Sequence, residues 1–110
     1  MKKSHQLTQI QAKVKQRQYR LTGHAEQERE FDRITIIQIE EAILSTQAEV
    51  IENYPEDVRG RSCLVLGFTG DGNPIHVVCG LEAEMLIVIT VYRPDSEQWV
   101  NWRKRRTTRP

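Results

Sequence analysis

Three positions carry side chains that can move a proton or hold a phosphate. His24 heads the stretch HAEQEREF, where the free amides of a helix start favour an anion and disfavour a protonated imidazole. His76 interrupts the apolar run IHVV beside a turn, and Tyr92-Arg93 closes a later run just before Pro94. Imidazole plus arginine is a minimal kit for cleaving a phosphodiester. One group takes the proton of a 2′-hydroxyl, another protonates the leaving oxygen, and the guanidinium neutralises the pentacoordinate charge. Each residue also has a plainer use, the histidine as half-buried strand filler and the arginine as a surface ion-pair former. A second group lies further on. Trp99 and Trp102 are interleaved with Arg103, Lys104, Arg105 and Arg106, a pattern in which indoles stack on bases and cations meet phosphates. The plainer reading has the tryptophans capping an open end of the core.

Other chemistries lack their residues. No phosphate-cradling glycine loop stands between a strand and a helix, and no His/Cys spacing suits a zinc site. The glycines of GFTGDG read as a hairpin turn. No cofactor or metal is expected.

Charge is segregated along the chain. Residues 1–20 hold six basic side chains and no acid, and residues 99–110 hold five basic side chains and no acid. Between them lie all fifteen acidic residues and only five basic ones. The two basic arms can meet phosphates or lie back on the acidic body. A length of 110 residues with 38% hydrophobic and 28% charged side chains suits one folded domain. No apolar run approaches the roughly 20 residues that cross a bilayer, and the first fifteen lack a signal peptide's apolar core. Cys63 and Cys79 lie in strand-like runs, where free thiols act as small hydrophobes. A reducing cytoplasm is the expected compartment.

The elements that must position these groups follow from periodicity. Leu7, Ile10 and Val14 recur at helical spacing within the basic arm, residues 1–20. After Gly23 a helix of about two turns begins at His24, and Asp32-Arg33 is its bend. ITIIQIEEAILSTQ is the clearest helix. Thr35 and Gln38 are spaced as a capping box, Ile34 and Ile39 as a hydrophobic staple, and Ile36, Ile39 and Ile43 as a buried stripe. Ala48–Asn53 reads as a first strand. Cys63–Phe68, Ile75–Cys79 and Met85–Tyr92 read as an antiparallel meander, its first turn set by Asp71-Gly72. The expected inner face is Leu64, Leu66, Ile75, Val77, Leu86 or its neighbour, and Val88, with the phase left open by Cys63–Leu66 and Leu86–Val91. Two of these runs are apolar on both parities, which implies a sheet covered on both sides or one whose second face meets a partner. The segment DSEQWVNW reads as a helical turn or loop, and residues 96–110 as a basic Trp/Arg-rich tail. The fold class is α+β, with N-terminal helices on a four-stranded antiparallel sheet, and residues 21–95 form the domain.

Taken in order, GHAEQE with RIT after it, IEEAI, YPEDVRGRSCLVLG, DGNPIHVV and VITVYRPD resemble the small bacterial family known as DUF4258, a domain of unknown function. The likeness covers roughly residues 20–95. It implies a similarity to compact RelE-like and BrnT-like toxin ribonucleases of the same helix-plus-sheet arrangement, some encoded beside zinc-finger antitoxins. Carried over, His24 stands at the family's helix histidine and Arg61 at its pre-strand arginine. His76 stands at its hairpin histidine, Tyr92 at its terminal tyrosine, and Arg33 at the arginine before the isoleucine. One departure stands out: many relatives have arginine where this chain has Glu28, a carboxylate that repels phosphate.

The resemblance implies a toxin-like endoribonuclease with His24, His76, Tyr92 and Arg61 catalytic, and the residue types add Arg93, Arg33, Trp99, Trp102, Arg103, Lys104, Arg105 and Arg106 as groups that bind RNA. The alternative is a non-enzymatic binding or regulatory module that engages nucleic acid or a protein through its basic arms. The partners expected are RNA, a zinc-finger antitoxin-like protein and a second copy of the chain. Folding the His24 helix back beside the next one is expected to bring His24, Arg61, His76 and Tyr92 to one side of the sheet, with Glu28 paired to Arg61 or Arg33.

Overall fold

The computed structural model describes residues 4–81 and 84–107. The second turn of the meander, at residues 82–83, lies outside them, as do Lys2, Lys3 and Arg109.

Helix α1 spans His5–Lys15 and starts where the Ser4 side chain accepts the Leu7 amide. Its apolar face, Leu7, Ile10 and Val14, is buried together with Gln11. The buried amide has a use: Gln11 Nε2 donates to the Ile43 carbonyl at 2.9 Å, one of the oxygens a helix end leaves unpaired. The helix closes in a Schellman turn, with Gln18 N–H on Lys13 O and Arg17 N–H on Val14 O, and Arg17 takes φ 59°. The chain then forms β1 (Tyr19–Leu21), α2 (Gly23–Phe31) and α3 (Ile36–Leu44). The Thr35/Gln38 capping box is formed at the start of α3, and Ile34, Ile39 and Ile43 are buried.

Strands β2 (Glu49–Tyr54), β3 (Ser62–Phe68), β4 (Pro74–Gly80) and β5 (Leu86–Tyr92) follow. The sheet order is β1-β5-β4-β3-β2. This corrects the four-stranded, wholly antiparallel expectation, because β1 adds a fifth strand parallel to β5, with Tyr19 opposite Leu86 and Leu21 opposite Val88. Three residues show no alternation to read, and their partner lies more than sixty positions away. The pairing depends on where the docked α1 releases the chain.

Helices α1 and α3 pack on one face, over Cys63, Val65, Ile75, Val77, Cys79, Val88 and Val91. Both cysteines are buried free thiols, and burial pushes both above their ordinary pKa, Cys63 to about 11. α3 crosses β3 so closely that a Cβ on Gly67 would stand 1.9 Å from the Ala42 carbonyl oxygen. That crossing fixes the phase of β3. Leu64 and Leu66, expected on the helix side, alternate with the core residues and point to the opposite face, where both are fully buried.

The chain's last described segment covers that face. Trp99–Val100 (β6) and Lys104–Arg105 (β7) pair as a hairpin where a helical turn or loop and a basic tail were expected. Asn101 and Trp102 take φ 52° and 64°, the sign a tight right-twisted hairpin turn requires. Trp99 is buried, while Arg103, Lys104, Arg105 and Arg106 are exposed. Among the described residues no helix is long and apolar enough to cross a membrane.

Candidate functional site

α2 does not lie on a face of the sheet. It runs along the β5 edge, beyond the point where β1 ends. Thr22 caps the helix by accepting the Ala25 amide, and its hydroxyl donates to the Ile89 carbonyl at 3.0 Å. Further along, Glu28 Oε1 accepts the Val91 amide at 3.0 Å and Asp32 Oδ2 accepts the Arg93 amide at 2.9 Å. Ala25 is the one fully buried side chain of α2, small enough for the helix to sit close against the strand.

This placement opens a cleft of about 390 Å³ lined by His24, Gln27, Glu28, Phe31, Asp32 and Tyr92. On the helix wall, His24 Nε2 lies 3.2 Å from Glu28 Oε2 with the imidazole 65% exposed. On the sheet wall, the Tyr92 hydroxyl lies 3.1 Å from His76 Nδ1. His76 Nε2 is 2.7 Å from the Trp102 carbonyl. A carbonyl only accepts, so Nε2 carries the hydrogen and Nδ1 presents its lone pair to the Tyr92 hydroxyl, which donates. The ring is fully buried, with Trp99 edge-on at 4.5 Å and Tyr92 at 5.2 Å between centroids. Burial pulls His76 below its ordinary pKa. The Trp102 hydrogen bond and the Glu52 charge oppose that pull, and Arg105 adds to it. Burial likewise pushes the Tyr92 phenol upward.

Three of the four expected catalytic positions are therefore linked. His24 and Tyr92 share a cleft, and His76 stands behind Tyr92 without reaching solvent. Arg61 does not join them. His76 is opposite Leu66 and Ser62 is opposite Gly80, so Arg61 stands five residues along β3 from the histidine, about 16 Å at strand rise. Arg93 is committed to the end of α2, where Nε donates to Asp32 O and Nη2 to Arg33 O. Arg33 occupies the left-handed position of that helix end, at φ 57°. Glu28, expected to pair with Arg61 or Arg33, instead holds the strand amide and His24.

The C-terminal cations are partly spoken for. Arg103 Nε sits 2.7 Å from Glu49 Oε2 and Arg105 Nε 2.8 Å from Glu52 Oε2, and the Arg105 guanidinium lies 4.6 Å from the centre of the Trp99 ring. Burial raises the Glu52 pKa, but hydrogen bonds from Arg105 and Tyr54 outweigh it and hold the carboxyl below its ordinary value. Arg106 Nε donates to Ser96 O. Trp99 and Trp102 do not present one flat surface, since Trp99 faces inward and Trp102 is half-buried at the turn. Among the described residues no three His, Cys, Asp or Glu side chains gather as a metal site would require.

The reading from residue types missed Asp32 and Glu28 as edge-capping groups. Their i, i+4 spacing on a short helix was the available signal, legible only once the helix is known to flank a strand.

The molecule is thus an α+β domain with a mixed five-stranded sheet and a lateral helix that forms one wall of a histidine–tyrosine cleft. Residues 21–93 match the family described as a domain of unknown function (DUF4258), and the chain belongs to it. The match begins at the end of β1 and stops after β5, so α1 and the C-terminal hairpin lie outside it. No curated protein and no solved structure matches the chain.

Proposed function

We propose that the domain is a toxin-like endoribonuclease of RelE-like type, working by metal-independent acid–base chemistry at the His24/Tyr92 cleft. The observation that carries this reading is the pairing of two titratable dyads, His24–Glu28 and Tyr92–His76, on opposite walls of one cleft. Two proton carriers facing one cleft can divide the acid and base roles between them. His24, held by Glu28, takes the proton of the 2′-hydroxyl. Tyr92 gives its phenol proton to the departing 5′-oxygen while His76 stays neutral, its Nε2–H on Trp102. His24 then returns its acquired proton to Tyr92 through solvent. The first turn of α2 offers the positive end of a helix dipole to the phosphate.

The test is cleavage of single-stranded RNA by the purified chain, with products ending in 2′,3′-cyclic phosphate and 5′-hydroxyl. His24→Ala and Tyr92→Phe are each expected to slow it by about 10²–10⁴-fold, and Arg61→Ala to leave it unchanged. Full activity in His24→Ala would sink the site.

A second reading, the binding module, is favoured by a specific observation. The cleft walls carry the carboxylates of Glu28 and Asp32, and none of its lining residues is Arg or Lys. In that reading the exposed cations of the α1–β1 side, Lys15, Arg17 and Arg20, hold nucleic acid or a protein partner of the antitoxin type. Replacing all three would flatten the slope of log affinity against log salt, with no cleavage at any stage.

A further inference from the structure

We propose that the β6–β7 hairpin is a strap closed over the His76 face of the sheet, and that single-stranded RNA opens it by drawing Arg103 and Arg105 away from Glu49 and Glu52. Four observations lead there. The family match stops at Arg93, so the hairpin is an addition to the shared domain, yet it covers a residue of the proposed site. Beneath it Leu64, Leu66 and His76 are fully buried. The strap holds on through one inward indole, Trp99, through the Trp102 carbonyl on His76, and through the two ion pairs to β2. Those pairs are solvent-exposed, with side-chain exposures of 43% and 43% for Arg103 and Glu49 and of 62% and 23% for Arg105 and Glu52. Such pairs are salt-sensitive; Arg103 holds Glu49 through one bond, the weaker attachment, and Arg105 holds Glu52 through two.

The outer side of the strap has the chemistry to receive RNA. A hollow of about 230 Å³ is lined by Ser96, Trp99, Asn101, Trp102 and Arg106, which offers an unstacked base an indole surface with a cation at its rim. Exposed Lys104 extends the basic edge. A phosphate backbone seated there competes with Glu49 and Glu52 for the same guanidinium groups, and it brings more negative charge per unit length than two carboxylates. Trp102 sits at φ 64°, a conformation a bulky residue keeps only while its surroundings enforce it. The pairing of β6 with β7 enforces it and turns the Trp102 carbonyl toward His76. An open strap bares His76 and the rear of Tyr92. The consequence for cleavage rests on the endoribonuclease reading, whereas the opening itself does not.

The experiment uses the full chain at low salt with oligouridylate as the probe. Opening is read by diethyl pyrocarbonate modification of His76, with exposed His24 as internal reference. It is also read by hydrogen exchange at the Trp99, Arg103 and Arg106 amides, which bond Asp95 O, Val100 O and Gln98 O. Oligouridylate is expected to raise the His76 modification rate about tenfold, and Arg103→Glu with Arg105→Glu to do so without RNA, since like charges then face Glu49 and Glu52. Glu49→Gln with Glu52→Gln removes the counter-charges without adding repulsion and serves where the reversed pair does not fold. His76 that stays protected in a folded variant, or strap amides that exchange more slowly on adding oligouridylate, would overturn the strap. Opening without cleavage upholds the strap and defeats the ribonuclease reading, whereas cleavage with a closed strap does the reverse.

Discussion

His76 makes stability depend on pH in a direction the structure fixes. The neutral ring satisfies both nitrogens, with Nε2–H on Trp102 O and the Tyr92 hydroxyl on Nδ1. Protonation would place a second N–H against that hydroxyl and a charge where water does not reach. Of the charged groups around it, Glu52 on β2 favours the charged form and Arg105 on β7 opposes it, and the net pKa is lowered from 6.5. In the unfolded chain the ring protonates near its ordinary value, so at lower pH the unfolded state binds more protons. The stabilisation is complete above about pH 6.5. It is lost as pH falls from there toward the folded-state pKa, at no more than about 1.4 kcal/mol per pH unit. The assay is urea unfolding of wild type and His76→Gln across pH 7.5 to 5, the glutamine being able to donate to Trp102 and accept from Tyr92. His76→Gln should be less stable at the upper end, and its deficit should shrink as the pH drops, since only wild type loses this contribution. Carboxylates common to both proteins cancel in the difference. Parallel stability profiles would refute the neutral, buried state assigned to the ring.

Three further outcomes follow from particular contacts. Gly67→Ala drives a methyl into the Ala42 carbonyl of α3, and since backbone meets backbone it should cost about 3 kcal/mol or more, read as a fall in the urea midpoint. Glu28→Ala leaves the Val91 amide without its acceptor and should cost about 1–3 kcal/mol, whereas Glu28→Gln keeps an acceptor of the same shape and should cost under about 1 kcal/mol. Equal losses for the two would mean that the edge bond is not what Glu28 contributes. Arg17→Gly should raise thermal stability slightly. Relief of about 1–2 kcal/mol at φ 59° is offset by about 0.5–1 kcal/mol of added chain entropy.

The elements legible in the sequence were those whose determinants are local. The Thr35/Gln38 box, the buried Ile39 and Ile43, and the Asp71-Gly72 turn, with Gly72 at φ 84°, depend on neighbours a few residues away. The phase of β3 was not legible, because Cys63 to Leu66 is apolar on both parities and alternation carries no signal when both faces are covered. What covers the second face is Trp99, whose place is set by His76 and by Glu49 and Glu52, each far off in sequence. For the site, the approach of His24 to Tyr92 follows from α2 folding back after β1. The distance of Arg61 from the cleft was derivable and was missed. Once the Asp71-Gly72 hairpin pairs Leu66 with His76, an arginine five residues earlier must sit at the other end of the strand.

The position of α2 explains why the cleft exists at all. A strand that loses its neighbour leaves amides unpaired every second residue, roughly 6.7 Å apart. One turn of helix carries residues i and i+4 about 6 Å along its axis. Glu28 and Asp32 have that spacing, so a helix laid parallel to β5 answers Val91 and Arg93 in succession and takes over where β1 stops. The same periodicity then fixes His24. Four residues before Glu28, it must lie on the same side of the helix, one turn back toward the level of Ile89, with the carboxylate between it and the level of Tyr92. The Glu28 carboxylate therefore acts twice, closing the sheet edge through one oxygen and holding the imidazole through the other. An arginine there would offer the Val91 amide no acceptor, so a Glu28→Arg variant must close the edge by other means.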